Sequence, residues 1–571
     1  MGKSEIKVSE LVEMVNSGEL RLPEMQRRYV WRSTRVRDLL DSLYRGYPSG
    51  SILVWETDKE QPSRGLAVAQ KESPFSGHKL LLDGQQRLTS LTSVLKGELV
   101  KVKNKKKPIE ILFNLEHPEN LFEFTEVESD MESVLPENEE LEDEDDTDES
   151  DLTIQERLKQ MTFVVAGKTF AQQSNWVPVT KIFLSTSDSE ILKSAGVVSF
   201  DDPRYEKYSS RLKKLRSIKD YLYTMHVLPK TLNYEEVAEI FVRVNSLGVK
   251  LRGSDLALAQ ITARWPNSLG LLEEFQEECE EHYMTLDLGL LVRAMVVFAT
   301  KQARFDKVAT TNIEVLKSGW EDAKEGLTFA INFLRSNADI EDESLLSSPL
   351  FFIVLAFFIK SRKGKLSKEE EKYLHYWLLT ANMKGRYSRG STESLLDADL
   401  NILKKGGGPK ELIDLLKQQF GRLEVEVTDF IGRGAGTPIF STVFLALKAN
   451  KAKDWHTGLT LSLTHQGKFH YIQYHHIFPK SLLKKLYDKS EINEIANMAF
   501  ISGKTNRHIS NREPGDYLKE IVKERGKEAV EKQFVPYEHE LLKIENYREF
   551  LEKRRELLKN ALNKYLYGII Q

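Results

Sequence analysis

One cysteine, Cys279, in 571 residues excludes an intramolecular disulfide and any zinc knuckle built from several thiolates. A bound metal must draw its ligands from His, Asp, Glu or Asn. Long apolar runs are missing too. The longest, PLFFIVLAFFI from Pro349 to Ile359, falls short of the ~20 residues that span a bilayer. The N-terminal stretch MGKSEIKVSELVEMV has no apolar signal-peptide core. These absences lead to the expectation of a cytoplasmic chain with no membrane partner. Net charge is scarce as well: 82 basic against 86 acidic side chains give a formal −4, at first sight an argument against nucleic acid.

That average hides a segregation. The stretch PENEELEDEDDTDESD, Pro136 to Asp151, holds eleven acidic side chains, and setting those eleven negative charges aside turns −4 into +7 for the remainder. Like charges at that density repel and build no core, so an acidic insert at about 128–152 is expected to be disordered. Elsewhere, 40% hydrophobic and 29% charged residues are ordinary for globular proteins. The length exceeds what one hydrophobic core serves.

Periodicity predicts a helix in VSELVEMVNSG, a loop through LRLPEMQRRYVW, and a helix bearing Val36, Leu39, Leu40 and Leu43. A Gly-Tyr-Pro turn, the strand SILVWE and then HKLLLDGQQRLTSL follow, the last read as a strand that turns at Asp83-Gly84 into a helix beginning near Gln85 or Gln86. From Ala263 to about Arg422 the pattern is helical, and Gly-rich breaks at KKGGGPK and FIGRGAGTP precede a C-terminal unit. There is no internal repeat. The expected fold class is α+β multidomain, mainly helical: an α/β N-terminal domain at 1–262, a helical domain at 263–424 and a nuclease-like unit at 425–571.

Asp83, Gly84, Gln85, Gln86 and Arg87 stand at a strand-to-helix junction. Backbone N–H groups at a helix start attract anions, and Arg87 offers a two-pronged fork, so this is a phosphate-binding corner in prospect, unless Arg87 simply pairs with Asp83. The loop with Gln26, Arg27 and Arg28 is a second concentration of donors.

Together these pieces resemble the ParB/sulfiredoxin-like DGQQR domain of GmrSD-type modification-dependent (type IV) restriction proteins. The matching residues are Pro23, Gln26 and Arg27 of a PxxQR loop, the turn GYPSGSILVWE, Asp83 to Arg87, and EIFVRVNSLGVKL, where Leu247 departs from the usual glycine; GRYSRGSTES is also family-like. The resemblance implies that Gln26, Arg27, Asp83, Gly84, Gln85, Gln86 and Arg87 bind and hydrolyse a nucleoside triphosphate, GTP or ATP, and that modified DNA is sensed.

Near the C-terminus, YHHIFPKSLL is followed by IANMAFISGKTNRHISNREPGDYL. Adjacent side chains on a strand face opposite ways, so His475 and His476 cannot share one site as an ordinary core pair. The segment resembles the HNH nuclease unit (ββα-metal) that accompanies DGQQR domains. That resemblance implies His476 as general base, Asn497 as the residue fixing its loop, and His475 with Asn506 as ligands of a divalent ion. Imidazole in place of the more usual acid extends the expected metal from magnesium or manganese to nickel or zinc. Lys504, Arg507, His508 and Arg512 are expected phosphate contacts. His456, His465 and His470 read as surface or DNA-facing residues.

The sequence therefore points to a nucleotide-dependent DNA endonuclease of antiviral defence, acting on double-stranded DNA, modified phage DNA in particular, with room for a homo-oligomer. The alternative is a nucleotide-gated DNA-binding regulator whose HNH unit is an inactive platform.

Overall fold

The structure is a computed structural model that describes residues 2–23, 31–58, 63–64, 78–102, 107–118, 160–167, 170, 172–247, 253–281, 284–388, 390–463 and 472–571. Gln26, Arg27, Arg28, the acidic insert, His465 and His470 lie outside them. The chain forms two compact units, Met1–Leu269 and Gly270–Gln571. Both are mainly helical, and the larger sheet belongs to the first.

That sheet is built from β1 (Gly2–Lys7), β2 (Leu20–Pro23), β3 (Ile52–Thr57), β4 (Ser63–Arg64), β5 (His78–Asp83) and β9 (Leu222–Leu228), in the order β1-β9-β3-β5-β2-β4. It is mixed: β3 runs antiparallel to β5 but parallel to β9, and β2 runs parallel to β5 with Leu20 opposite Lys79. The unbroken apolar runs in ILVW and LLL follow from burial on both faces. Ile52, Val54 and Leu81 join a core with Val36, Leu40, Leu88 and Leu91 of the helices Ser33–Arg45 and Gln85–Leu95. Leu53, Trp55, Leu80 and Leu82 pack the other way on Val237, Phe241 and Ala259. A smaller sheet sets β6 (Ile111–Asn114) between β7 (Phe163–Val165) and β8 (Trp176–Pro178).

The strand β2 sits where periodicity predicted only a loop. Its four residues end in Pro23, a poor strand signal, and form a strand because β5 lies alongside.

In the second unit the longest apolar run becomes the helix Leu350–Ser361, with every residue from Phe351 to Ile359 buried. Its neighbour Ile313–Ser336 approaches it closely at Gly326, where a Cβ would fall 3.0 Å from the Ala356 carbonyl oxygen, and approaches the helix Leu288–Thr300 at Gly319, where a Cβ would fall 2.7 Å from that of Ala299. GRYSRGSTES supplies a buried ion pair at the end of the helix Lys368–Met383: Arg386 Nη2 donates to Asp399 at 2.8 Å, and Tyr387 Oη donates to the same carboxylate at 2.6 Å. Nearer the C-terminus, β10 (Ile472–His476) pairs antiparallel with β11 (Met498–Ser502). Among the described residues no helix is long and apolar enough to cross a membrane.

Candidate functional site

The ribbon β10-β11 runs straight into the seven-residue helix Gly503–Ile509, with Ser502 as N-cap. Both histidines lie at the end of β10, His475 opposite Ala499 and His476 opposite Met498. The pleat turns them to different environments. His475 is 6% exposed and edge-on to the buried Tyr517 ring, with centroids 6.0 Å apart. His476 is half-buried on the side of the exposed Tyr474.

His475 Nδ1 lies 2.7 Å from Asn506 Oδ1. An amide oxygen only accepts, so Nδ1 carries the proton and the lone pair resides on Nε2. That Nε2 is buried without a hydrogen-bond partner among the described residues. Burial pulls the imidazole down to about 4, against the Asn506 hydrogen bond, so the ring is neutral at pH 7. With the ring proton on Nε2 instead, His475 Nδ1 and Asn506 Oδ1, 2.7 Å apart, present adjacent lone pairs that fit a divalent cation by donor type. Two protein donors would leave the remaining positions to phosphate oxygens and water. Among the described residues there is no group of three or more His, Cys, Asp or Glu suited to a metal.

His476 Nε2 lies 3.2 Å from Asn493 Oδ1. By the same reasoning Nε2 holds the proton and Nδ1 is the basic atom. Burial, with the charges of Lys480 and His475 adding to it, pulls this ring down to about 3, below the ordinary imidazole value near 6.5.

Asn497 is fully buried and ties the segment after His476 to the one before β11. Its Oδ1 accepts from Phe478 N at 2.9 Å, while Nδ2 donates to the carbonyls of Phe478 at 3.1 Å and Ile492 at 3.0 Å. Tyr517 Oη completes the turn by donating to the Ile477 carbonyl. Phe478 itself packs against Tyr547 and Phe550 of the long C-terminal helix.

The basic stretch divides. Lys504, Arg507, His508 and Arg512 are all exposed, but Arg512 donates to Glu520 at 2.5 Å and His508 Nε2 is 3.9 Å from the same carboxylate. His508 also stacks on His456, with centroids 4.6 Å apart and planes 17° apart. Lys504 and Arg507 are exposed on the helix Gly503–Ile509 itself.

Sequence reasoning missed two polar residues here, Asn493 and Asp454. Asn493 gives no signal in INEIAN. Asp454 does give one, since an Asp three residues before a Thr in DWHT is a local side-chain-to-backbone turn signature. The structure uses it at longer range as well: Asp454 is 2% exposed and accepts from Ser502 N and Thr505 Oγ1, both at 2.6 Å, besides Thr457. Burial alone would raise its pKa, but these donors hold the carboxyl below the usual range.

In the first unit, Gly84 takes φ 100° between β5 and the helix Gln85–Leu95. Arg87 does not face outward. Its guanidinium donates to the carbonyls of Ser49 and Ser51, the latter at 2.8 Å, and to Asp83 at 3.2 Å, over the Tyr223 ring. Tyr223 and Tyr221 bind the same turn through Ser49. The fork thus clamps the GYPSGS turn to the helix start, while Gln86 Oε1 accepts from the backbone N of Trp31, where the PxxQR loop returns. Gln85 is buried.

Residues 8–262 match the family model described as GmrSD restriction endonuclease, N-terminal domain. The match takes in every strand of the mixed sheet except β1 and includes the whole DGQQR corner. The chain is also 24% identical to an uncharacterized protein of Methanocaldococcus jannaschii, over 94% of this chain and 90% of that protein.

Proposed function

We propose that this chain is a metal-dependent DNA endonuclease of antiviral defence, its phosphodiester chemistry lying at the β10-β11 ribbon and the helix Gly503–Ile509, and nucleoside triphosphate hydrolysis at the DGQQR corner. The observation that carries the nuclease reading is the His475–Asn506 pair, with Nδ1 and Oδ1 2.7 Å apart and one residue from His476. The match over residues 8–262 supports the setting of restriction.

His475 and Asn506 would hold a divalent ion, which when bound supplies Lewis-acid stabilisation of the scissile phosphate and the leaving oxygen. His476 Nδ1 takes the proton of the attacking water, because Asn493 occupies its other nitrogen. A ring held near 3 in the free protein is a weak acceptor. The phosphodiester's own negative charge beside it raises that affinity, so substrate binding turns the base on. Lys504 and Arg507 contact the phosphate backbone without reading sequence.

At the corner, Gly84 and the first turn of the helix Gln85–Leu95 would receive the polyphosphate, and the family resemblance assigns Gln26 and Arg27, which lie outside the described residues, to the same ligand. Arg87 acts by shaping the turn. The depressed base and the capture of Arg512 by Glu520 are what favour the second reading, a nucleotide-gated DNA-binding regulator with an inactive platform. Cleavage of matched modified and unmodified phage DNA, with and without divalent ion, GTP and ATP, decides between them. Modification-dependent cuts that need the ion support the enzyme; DNA binding with intact strands under every condition supports the regulator.

A further inference from the structure

We infer that Asp454 is a positioning residue for the metal pair, holding the helix Gly503–Ile509 in the orientation that brings Asn506 onto His475. The inference rests on the metal-dependent reading above. His475 is placed by the β10-β11 ladder, but Asn506 belongs to a helix of seven residues, too short to hold an orientation by itself. Something outside the helix must set it. Asp454 bonds it at its N-cap, Ser502 N, and at Thr505, the residue preceding Asn506, each at 2.6 Å.

The carboxylate stands on a fixed base. Trp455 is buried and donates Nε1 to the Ala529 carbonyl at 3.2 Å. Gln533, also buried, donates Nε2 to the Lys453 carbonyl at 3.1 Å while holding both backbone groups of Phe500 in β11. Asp454 therefore couples the strand that pairs with His475's strand to the helix that carries Asn506. An acidic side chain suits the task because its two oxygens accept from several donors at once. Asparagine would turn an N–H toward Ser502 N or Thr505 Oγ1.

Two threonines separate positioning from general stability, because each gives one hydroxyl bond to the same carboxylate at 2.6 Å: Thr505 from the helix, Thr457 from the Asp454 loop itself. The experiment measures Mn2+ binding to the full chain by the loss of the free-ion paramagnetic signal, with His475→Ala defining the part that belongs to this site. Losing an outer partner of a metal ligand typically weakens the ion about 10- to 100-fold. Thr505→Val and Asp454→Asn are expected to fall in that range, Thr505→Ser to recover, and Thr457→Val to bind within about twofold of wild type. Melting temperatures of the two valine variants should drop alike. Wild-type Mn2+ binding by a destabilised Thr505→Val, or equal weakening by Thr457→Val, overturns the positioning role. A wild-type chain whose Mn2+ binding is unaffected by His475→Ala overturns the metal reading itself, and the inference with it.

Discussion

His475 and Asn506, thirty-one residues apart in sequence, meet Nδ1 to Oδ1 at 2.7 Å, and that contact leaves the imidazole's other nitrogen buried and without a partner among the described residues. A buried polar atom with nothing to bond is ordinarily a cost of one to a few kcal/mol. The same contact sets two potential ligand atoms side by side, able to take one ion once the ring proton sits on Nε2.

His476→Ala and Asn506→Ala should therefore fail differently. General-base catalysis is typically worth ~100- to 10,000-fold, so the first variant should lose nicking by that factor while still binding Mn2+ and DNA. The second should lose affinity for the ion, and excess Mn2+ should restore its nicking in part. Plasmid nicking against divalent-ion concentration checks both. Wild-type rates from His476→Ala would favour the DNA-binding regulator.

Arg87→Ala should destabilise the first unit, contrary to the behaviour of a solvent-facing phosphate ligand. The side chain is 14% exposed, and removing it leaves the Ser49 and Ser51 carbonyls without their cationic donor, a loss of about 1–3 kcal/mol. Lysine should not rescue, because a single ammonium does not reproduce the planar fork. Chemical denaturation measures this, and phosphate release from GTP and ATP shows whether the turn matters for hydrolysis. An Arg87→Ala chain as stable as wild type would remove the clamp from the account.

His117 makes stability depend on pH. Its ring is 5% exposed, accepting from Tyr44 Oη at 3.0 Å and donating to the Pro118 carbonyl at 2.8 Å. Burial, with Arg211, Lys214 and Lys207 adding, pulls it down to about 4. Between the unfolded value near 6.5 and about 4, the unfolded chain binds a proton that the folded one does not. Stability is therefore lost as pH falls through that window, approaching roughly 3 kcal/mol at its lower end. The melting temperature of His117→Gln should fall less than wild type between pH 7 and 5. Parallel curves would show that other groups govern the acid limb.

Deleting Pro136–Asp151 removes eleven negative charges and one large apolar side chain, Leu141. Melting temperature should stay nearly constant, and nonspecific DNA binding should tighten at low salt and converge with wild type at high salt. A deletion that fails to fold would show that the segment is structural.

The sequence by itself determined what rests on local pattern. The helix carrying Val36 to Leu43, the strands ILVWET and HKLLLD, and the turn at Gly84 follow from spacing and residue type. His475, His476, Asn497 and Asn506 could be picked out as candidates for the same reason, because unlike residues in a fixed order leave a readable trace. Tertiary structure alone decided which atoms meet. It made β2 a strand through β5, turned Arg87's fork into the protein, gave Arg512 to Glu520, and brought Asp454 to Thr505 across 51 residues. A side chain's donors and acceptors are written in its identity, but the partner that satisfies them is chosen by burial, where an unpaired polar group is costly enough to select one neighbour.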